Sequence, residues 1–241
     1  MLKILQKTKG IFLKYKLHKL FFFLEKPMRT FSNLIRLSKW INDNMDIEFN
    51  DFYNPNRDGA ARLKLYSFVI NKLNLNQADV VYLEFGVANG TSFKWWVNEI
   101  TNTNTQFHGF DTFTGLPEDW GHFKKGDMSA NNTPPVIEND NRHFFYQGLF
   151  QQTLPQFIKK NNGIITKPLV IHLDADLYTA TYYVLNQLAP YLKKGDVIFF
   201  DEFNVPNHEF LAFEEFCKSY YINYTVLGAV NNYYQTAIQI I

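Results

Sequence analysis

The sequence predicts an α/β fold: a Rossmann-like, doubly wound, mostly parallel sheet of seven strands, ending in an antiparallel hairpin and preceded by a helical extension. Three observations predict it. From residue 80 onward, short apolar runs of strand length alternate with segments of helical periodicity, which implies right-handed crossovers and a parallel sheet. The first run, Val80 to Phe85, ends in the glycine turn Gly86-Val87-Ala88-Asn89-Gly90 before a helical stretch. Such a strand–turn–helix unit puts ligand chemistry at the carboxyl end of the strand. The last two runs, near Tyr224–Leu227 and Thr236–Ile240, have no helix between them and read as a hairpin. With 241 residues, 46% of them hydrophobic, the chain has the length and apolar content for one buried sheet.

Residues 1–59 read as a basic helical extension and lead-in, and residues 60–241 as the sheet domain. The first forty residues hold ten Lys and Arg against one acid, Glu25, which leaves fourteen basic and twenty-two acidic residues for the remainder, a net of −8. Ile4, Leu5, Ile11, Phe12 and Leu13 mix with lysines in an amphipathic helical pattern. A spanning helix needs ~20 nearly uninterrupted apolar residues, which this stretch lacks. Lysines break the apolar region and no small-residue cleavage site follows, so it does not read as a secretory leader. Three readings stand: a helix packed on the domain or across a homodimer, attachment to a membrane surface, or a nucleic-acid arm. The acidic remainder, with no nucleic-acid module, speaks against the last. The protein is expected in the cytoplasm, with a peripheral place at a membrane left open.

The later elements follow in order. Asn42 to Asp58 is polar and turn-rich, a loop beside the site, and Ala60 to Leu73 recovers helical spacing. Strand Val80–Phe85 leads to helix Thr91–Ile100, and strand Thr105–Phe110 to a long loop reaching Asn141. Strand His143–Tyr146 precedes helix Thr153–Lys160, strand Leu169–Leu173 precedes helix Thr179–Leu192, and strand Val197–Phe200 precedes helix Glu209–Tyr220. The single cysteine, Cys217, excludes an internal disulfide and a cysteine-based zinc site.

The chemistry gathers at the strand ends. Gly86 permits a tight turn and close approach of a ligand to the backbone, and Gly90 lets the next helix begin near the sheet with its N–H groups free for an anionic group. Glu84 stands where a dinucleotide site wants glycine, because a carboxylate repels a pyrophosphate; it suits a cationic or amino-bearing ligand such as S-adenosylmethionine. Asp111 ends the second strand roughly 20–25 residues past the glycine turn, where an acid takes ribose hydroxyls. That ribose is shared with NAD, and a turn-capping role is the structural alternative. Asp174, Asp201 and Glu202 lie at the ends of adjacent strands and are expected to converge. Three carboxylates that close cannot all stay ionised without a cation, and Mg²⁺ with oxygen ligands answers the problem. Which of Asp174 and Asp176 is the ligand stays open, as does the alternative that these acids cap helices or face solvent.

Five segments together resemble a known family: Leu83-Glu84-Phe85-Gly86-Val87, Gly109 to Pro117, Gly148-Leu149-Phe150 with Thr153-Leu154-Pro155, His172-Leu173-Asp174-Ala175-Asp176-Leu177-Tyr178, and Phe200-Asp201-Glu202-Phe203. Over Val80 to Ile241 the chain looks like the class I methyltransferases related to the macrocin and mycinamicin O-methyltransferases. The resemblance implies S-adenosylmethionine at Glu84, Gly86 and Asp111, Mg²⁺ at Asp174, Asp201 and Glu202, and O-methylation of a small-molecule hydroxyl, a glycan or another polyol. His208 is the leading candidate for the base that removes the hydroxyl proton, with Asp174 also in a catalytic position and His122 second to His208. His172 reads as a buried hydrogen-bonding residue. The rivals are a non-catalytic S-adenosyl-binding scaffold and an NAD-dependent enzyme.

Overall fold

The computed structural model describes residues 2–161 and 163–241. The strands are β1 Phe49–Asn50, β2 Val81–Phe85, β3 Gln106–Asp111, β4 His143–Gln147, β5 Leu169–Leu173, β6 Val197–Phe200, β7 Tyr224–Val230 and β8 Gln235–Ile240. The α-helices are α1 Leu2–Lys14, α2 His18–Asp43, α3 Ala61–Leu73, α4 Thr91–Glu99, α5 Phe150–Lys160, α6 Tyr178–Leu188 and α7 Glu209–Tyr220. All strands join one sheet in the order β1-β7-β8-β6-β5-β2-β3-β4. From β4 to β6 the neighbours run parallel, and β8 is antiparallel to both β6 and β7.

The sheet therefore has eight strands, not seven. The addition is β1, parallel to β7 with Phe49 opposite Gly228, inside the stretch read as loop. Two residues are too few for an alternation to register; packing fixes them instead, with Phe49 stacked on Phe68 of α3 at 4.7 Å. Helix ends shift for local reasons. Pro190 has no N–H for an α-helical ladder, so α6 stops at Leu188 and Ala189–Tyr191 forms a 3₁₀ turn. Helix α5 starts at Phe150 because the Gln152 carboxamide oxygen accepts the Leu149 N–H at 3.2 Å and caps the first turn.

Strand β2 pairs with β3 on one side and β5 on the other, so the chain winds in opposite directions from it and a crevice opens at the carboxyl ends of β2 and β5. Alternation along each strand feeds two core layers. Val81, Leu83 and Phe85 pack with Leu154, Phe157, Val184, Leu185 and Phe213 on the α5–α6–α7 face. Tyr82 packs with Leu65, Tyr66, Phe93 and Trp96 on the α3–α4 face.

Helix α2 runs unbroken through Pro27 on a solvent-facing stretch, where water can satisfy the carbonyl that the proline leaves without a donor. Its last turns are built into the domain. Leu37 joins the core, the Trp40 indole donates to the Tyr224 hydroxyl at 2.7 Å, and Asn33 donates to Asn207 at 2.9 Å. Arg36 pairs with Glu214 of α7. Among the described residues, no helix is long and apolar enough to cross a membrane.

Candidate functional site

A cavity of about 380 Å³ lies at the crevice, lined by Gly86, Asp111, Asp174 and Asp176 and by Leu116, Met128, Leu149 and Phe150 from the surrounding loops. Gly86 has a φ of +96°, and a Cβ there would stand 1.8 Å from the Asp174 carbonyl oxygen. Only glycine lets the β2 turn cross the end of β5 this closely. Asp111 ties the same turn to β3: one carboxylate oxygen accepts the Ala88 N–H and the other the Phe113 N–H, each at 2.7 Å. Each oxygen keeps a lone pair for a ligand hydroxyl.

Two residues expected at the cofactor stand behind the cavity wall. Glu84 is fully buried on the α3–α4 face, where it accepts the Ser92 hydroxyl at 2.7 Å and the Tyr82 hydroxyl. The reason is its place on the strand: the face opposite Phe85 points under the start of α4 and not into the crevice. A Cβ on Gly90 would meet the Pro135 ring at 2.6 Å, so that glycine seats the paired prolines against the start of α4.

The acids at the other end of the crevice form a dense group. Asp174, Asp176 and Glu202 each place a carboxylate oxygen within 4.8 Å of the others. One Glu202 oxygen is buried without a hydrogen-bond partner, as is one oxygen of the neighbouring Glu209, whose second oxygen accepts the Glu202 N–H at 2.9 Å. Burial and the Asp201 charge hold the Asp174 carboxyl well above the usual carboxylate range. Burial, with Asp201 and Asp111 nearby, lifts Asp176 to about 7, and burial with Asp174 and Glu209 raises Glu202. Close carboxylates that keep unpartnered oxygens are the environment of a hard cation, and an all-oxygen donor set fits Mg²⁺.

Asp201, expected to join this group, turns to other partners. It accepts Arg62 of α3 at 3.3 Å and the Tyr66 hydroxyl at 3.2 Å. Against its burial, the bond and charge of His172, with Arg62 beside it, hold its carboxyl below the ordinary value. Of the acids expected to converge, Asp174 and Glu202 lie together with Asp176, while Asp201 lies outside that group.

His172 sits between the two carboxylate systems. Its Nδ1 lies 3.0 Å from the Tyr82 hydroxyl and its Nε2 3.1 Å from the Tyr66 hydroxyl. Tyr82 gives its proton to Glu84 and Tyr66 gives its proton to Asp201, so both phenol oxygens can only accept from the imidazole. With the phenols so oriented, both ring nitrogens donate, which is the arrangement of the charged form. Burial alone would lower the His172 pKa, but the bonds and charges of Asp201 and Glu84 raise it to about 10.

His208 does not line the cavity. It precedes α7, and its Nδ1 accepts the Tyr178 N–H at the start of α6 at 3.3 Å. With that lone pair engaged and its pKa lowered by burial, it is poorly placed as the expected base. His122, the second candidate, lies tilted against Phe123 at 4.1 Å and is not among the residues lining the cavity. The long loop between β3 and β4 contributes Leu116, Glu118 and Met128 to the cavity, and Thr179 of α6 holds Glu118 at 3.1 Å. Sequence reasoning missed Tyr66, Tyr82, Arg62 and Glu209, which lie on helices or inside strands with no motif to mark them. Periodicity did flag the helices that carry Tyr66 and Glu209.

A family model described as a methyltransferase domain matches residues 83–203. Among solved structures, the chain is similar to the calicheamicin methyltransferase CalS11, at 20% identity over 86% of this chain and 91% of that one, with a TM-score of 0.56. A second, apo structure of CalS11, described as a TDP-rhamnose 3'-O-methyltransferase, matches at 20% identity over 86% and 93% of the two chains with a TM-score of 0.51. The O-methyltransferase NovP matches at 21% identity over 74% and 78%, with a TM-score of 0.52. At these identities the likeness is one of fold. No curated protein matches the chain in sequence.

Proposed function

The chain belongs to the methyltransferase-domain family, and on that premise we propose that it transfers a methyl group from S-adenosylmethionine to a hydroxyl of a sugar or other small polyol. The observation that carries this reading is the meeting, across one cavity, of a hydroxyl-binding aspartate, Asp111, with the acid group Asp174, Asp176 and Glu202. The five motif segments favour the macrocin and mycinamicin branch, and the same fold serves a neighbour described as a TDP-rhamnose 3'-O-methyltransferase.

S-adenosylmethionine supplies an electrophilic methyl on a sulfonium. Gly86 gives it backbone contact without a side chain in the way, Asp111 accepts its ribose hydroxyls, and Leu116, Met128, Leu149 and Phe150 offer apolar walls for its base. Glu84 acts from behind: through Ser92 it fixes the start of α4, and through Tyr82 it steadies His172. Mg²⁺ held by Asp174, Asp176 and Glu202 would gather acceptor oxygens and lower the pKa of the attacked hydroxyl. Asp201 acts beside this group, fixed by Arg62 and Tyr66, and is a positioning residue.

The acceptor must line up its oxygen with the S–CH₃ bond. As the C–O bond forms, the S–CH₃ bond breaks and the donor leaves as a neutral thioether, while the hydroxyl proton passes to an ionised carboxylate of the group Asp174, Asp176 and Glu202. His208 supports the site from the start of α7 by holding the Tyr178 N–H of α6. The test is methyl transfer from labelled S-adenosylmethionine to a panel of sugars and polyols, with calorimetric titration of the donor. Turnover on a sugar hydroxyl that needs added magnesium supports the reading. Donor binding without transfer to any member would support a scaffold instead, and NAD binding would displace both.

A further inference from the structure

Beyond the catalytic domain, α1 and the first turns of α2 form an arm whose large apolar side chains are uncovered. Ile4 is 71% exposed, Leu13 68%, Phe22 70% and Phe23 74%. Soluble monomers rarely show contiguous apolar surface on this scale without a partner for it. Helix α2 has two apolar sides. Asn33, Leu37 and Trp40 dock on the domain. Phe21, Leu24, Met28, Phe31 and Ile35, three or four residues apart, run along the opposite side, and all but Leu24 are exposed.

Charge accompanies this surface. Residues 2–29 carry eight Lys and Arg against the single acid Glu25, while the chain beyond residue 40 is net negative. Two occupants fit an apolar, basic arm: a second copy of the chain, or an anionic bilayer. Pairing by symmetry would lay one strongly positive arm against another, and like charges across a contact repel. The run Phe21-Phe22-Phe23 decides further. Consecutive residues of a helix point about 100° apart, so the three rings spread over more than half the circumference. One partner helix covers a single stripe; fluid acyl chains and headgroups can surround such a spread.

We propose that this arm is a membrane-surface anchor, lying on an anionic bilayer with its phenylalanines at the acyl boundary and its lysines among the headgroups. The acidic sheet domain would be repelled by the same surface and held on the water side, attached only through the docked end of α2. The lysines supply attraction that salt screens, and the apolar face supplies the part that salt does not remove.

The test is flotation of the full-length protein with vesicles of phosphatidylcholine and phosphatidylglycerol, compared with phosphatidylcholine alone. The protein should float with the anionic vesicles and remain behind with the neutral ones. Phe21→Ser/Phe22→Ser/Phe23→Ser and, separately, Lys7→Glu/Lys14→Glu/Lys16→Glu/Lys19→Glu should each weaken partitioning at least about 100-fold. All seven side chains are exposed, so circular dichroism and melting temperature should match the parent. No flotation of the parent, or undiminished flotation of the triple serine variant, would overturn the proposal. So would sedimentation velocity showing a dimer that the serine variant breaks, with no vesicle binding; the occupant would then be a second copy.

Discussion

On the β2–β3 side of the cleft, Asp111 has both oxygens engaged by backbone N–H groups, at 2.7 Å from Ala88 and from Phe113. On the β5–β6 side, Asp174, Asp176 and Glu202 stand within 4.8 Å of one another, with a Glu202 oxygen buried and unpartnered. The acid of the first wall is held by backbone N–H groups, and its charge still reaches Asp176 across the cavity. The second is the wall at which we propose a cation. Each wall has a buried histidine on its own strand, and the two differ in the same way. His108 of β3 packs among Phe144, Phe157 and Tyr146, and burial lowers its pKa to about 4. His172 of β5 is bracketed by tyrosines that lead to carboxylates, and against its burial Asp201 and Glu84 raise its pKa to about 10. Identical side chains take opposite charge states because one has acids within reach and the other has only rings. The lesson is that the two walls hold their acids by different means, backbone N–H groups on one and a crowd of carboxylates on the other, although they share one cavity.

Mutations can break this comparison, beginning where the walls touch. Gly86→Ala should have the largest effect. The added carbon collides with the Asp174 carbonyl, so the β2 turn must leave the end of β5, lowering the melting temperature and abolishing donor binding together. A variant that melts with the parent and binds S-adenosylmethionine would show that the walls do not meet there. Glu202→Gln removes charge from the second wall only. Turnover should fall by at least about 100-fold, while the donor titration stays within twofold of the parent, about the noise of such a comparison. Asp111→Ala should do the converse and weaken donor binding by about 1–3 kcal/mol through lost hydroxyl contacts. An effect confined to the acceptor KM would move Asp111 to the other wall.

The smallest effect sharpens the histidine pair. The folded His108 pKa lies below the unfolded value of 6.5, so the unfolded chain binds the extra proton as pH falls. Stability from this residue is present above pH 6.5 and is lost toward about pH 4, with about 1 kcal/mol gone between pH 7 and 5.5. His108→Gln keeps a partner for the Tyr146 hydroxyl without titrating, and should flatten the melting profile over that interval. An unchanged profile would mean that His108 is not held neutral.

Much of this was legible in the sequence wherever one local signal matched one physical need. The strand-length runs located the central strands, and the glycine turn located the crevice. Gly86 and Asp111 reach the cavity because each stands at a strand end. Glu84 was read as a ligand-facing acid because strand alternation tells which residues share a face but not which face looks at the crevice. The acid cluster was foreseen as a group, but its membership turned on Arg62 and Tyr66. These come from α3, more than a hundred residues before Asp201, and draw Asp201 aside. No short-range pattern records such a long-range partner. His208 looked catalytic from its nearness to Asp201 in sequence; the turn after β6 directs it instead to the start of α6.

The most direct test of separate walls is donor affinity and methyl transfer measured on one preparation, first in excess chelator and then with magnesium restored. The account predicts S-adenosylmethionine binding within twofold in both states, the usual noise of such a comparison. Transfer to the proposed sugar or polyol acceptor should be lost in chelator and recovered with the ion. Full-rate transfer in chelator, or donor binding that disappears with the metal, would contradict it.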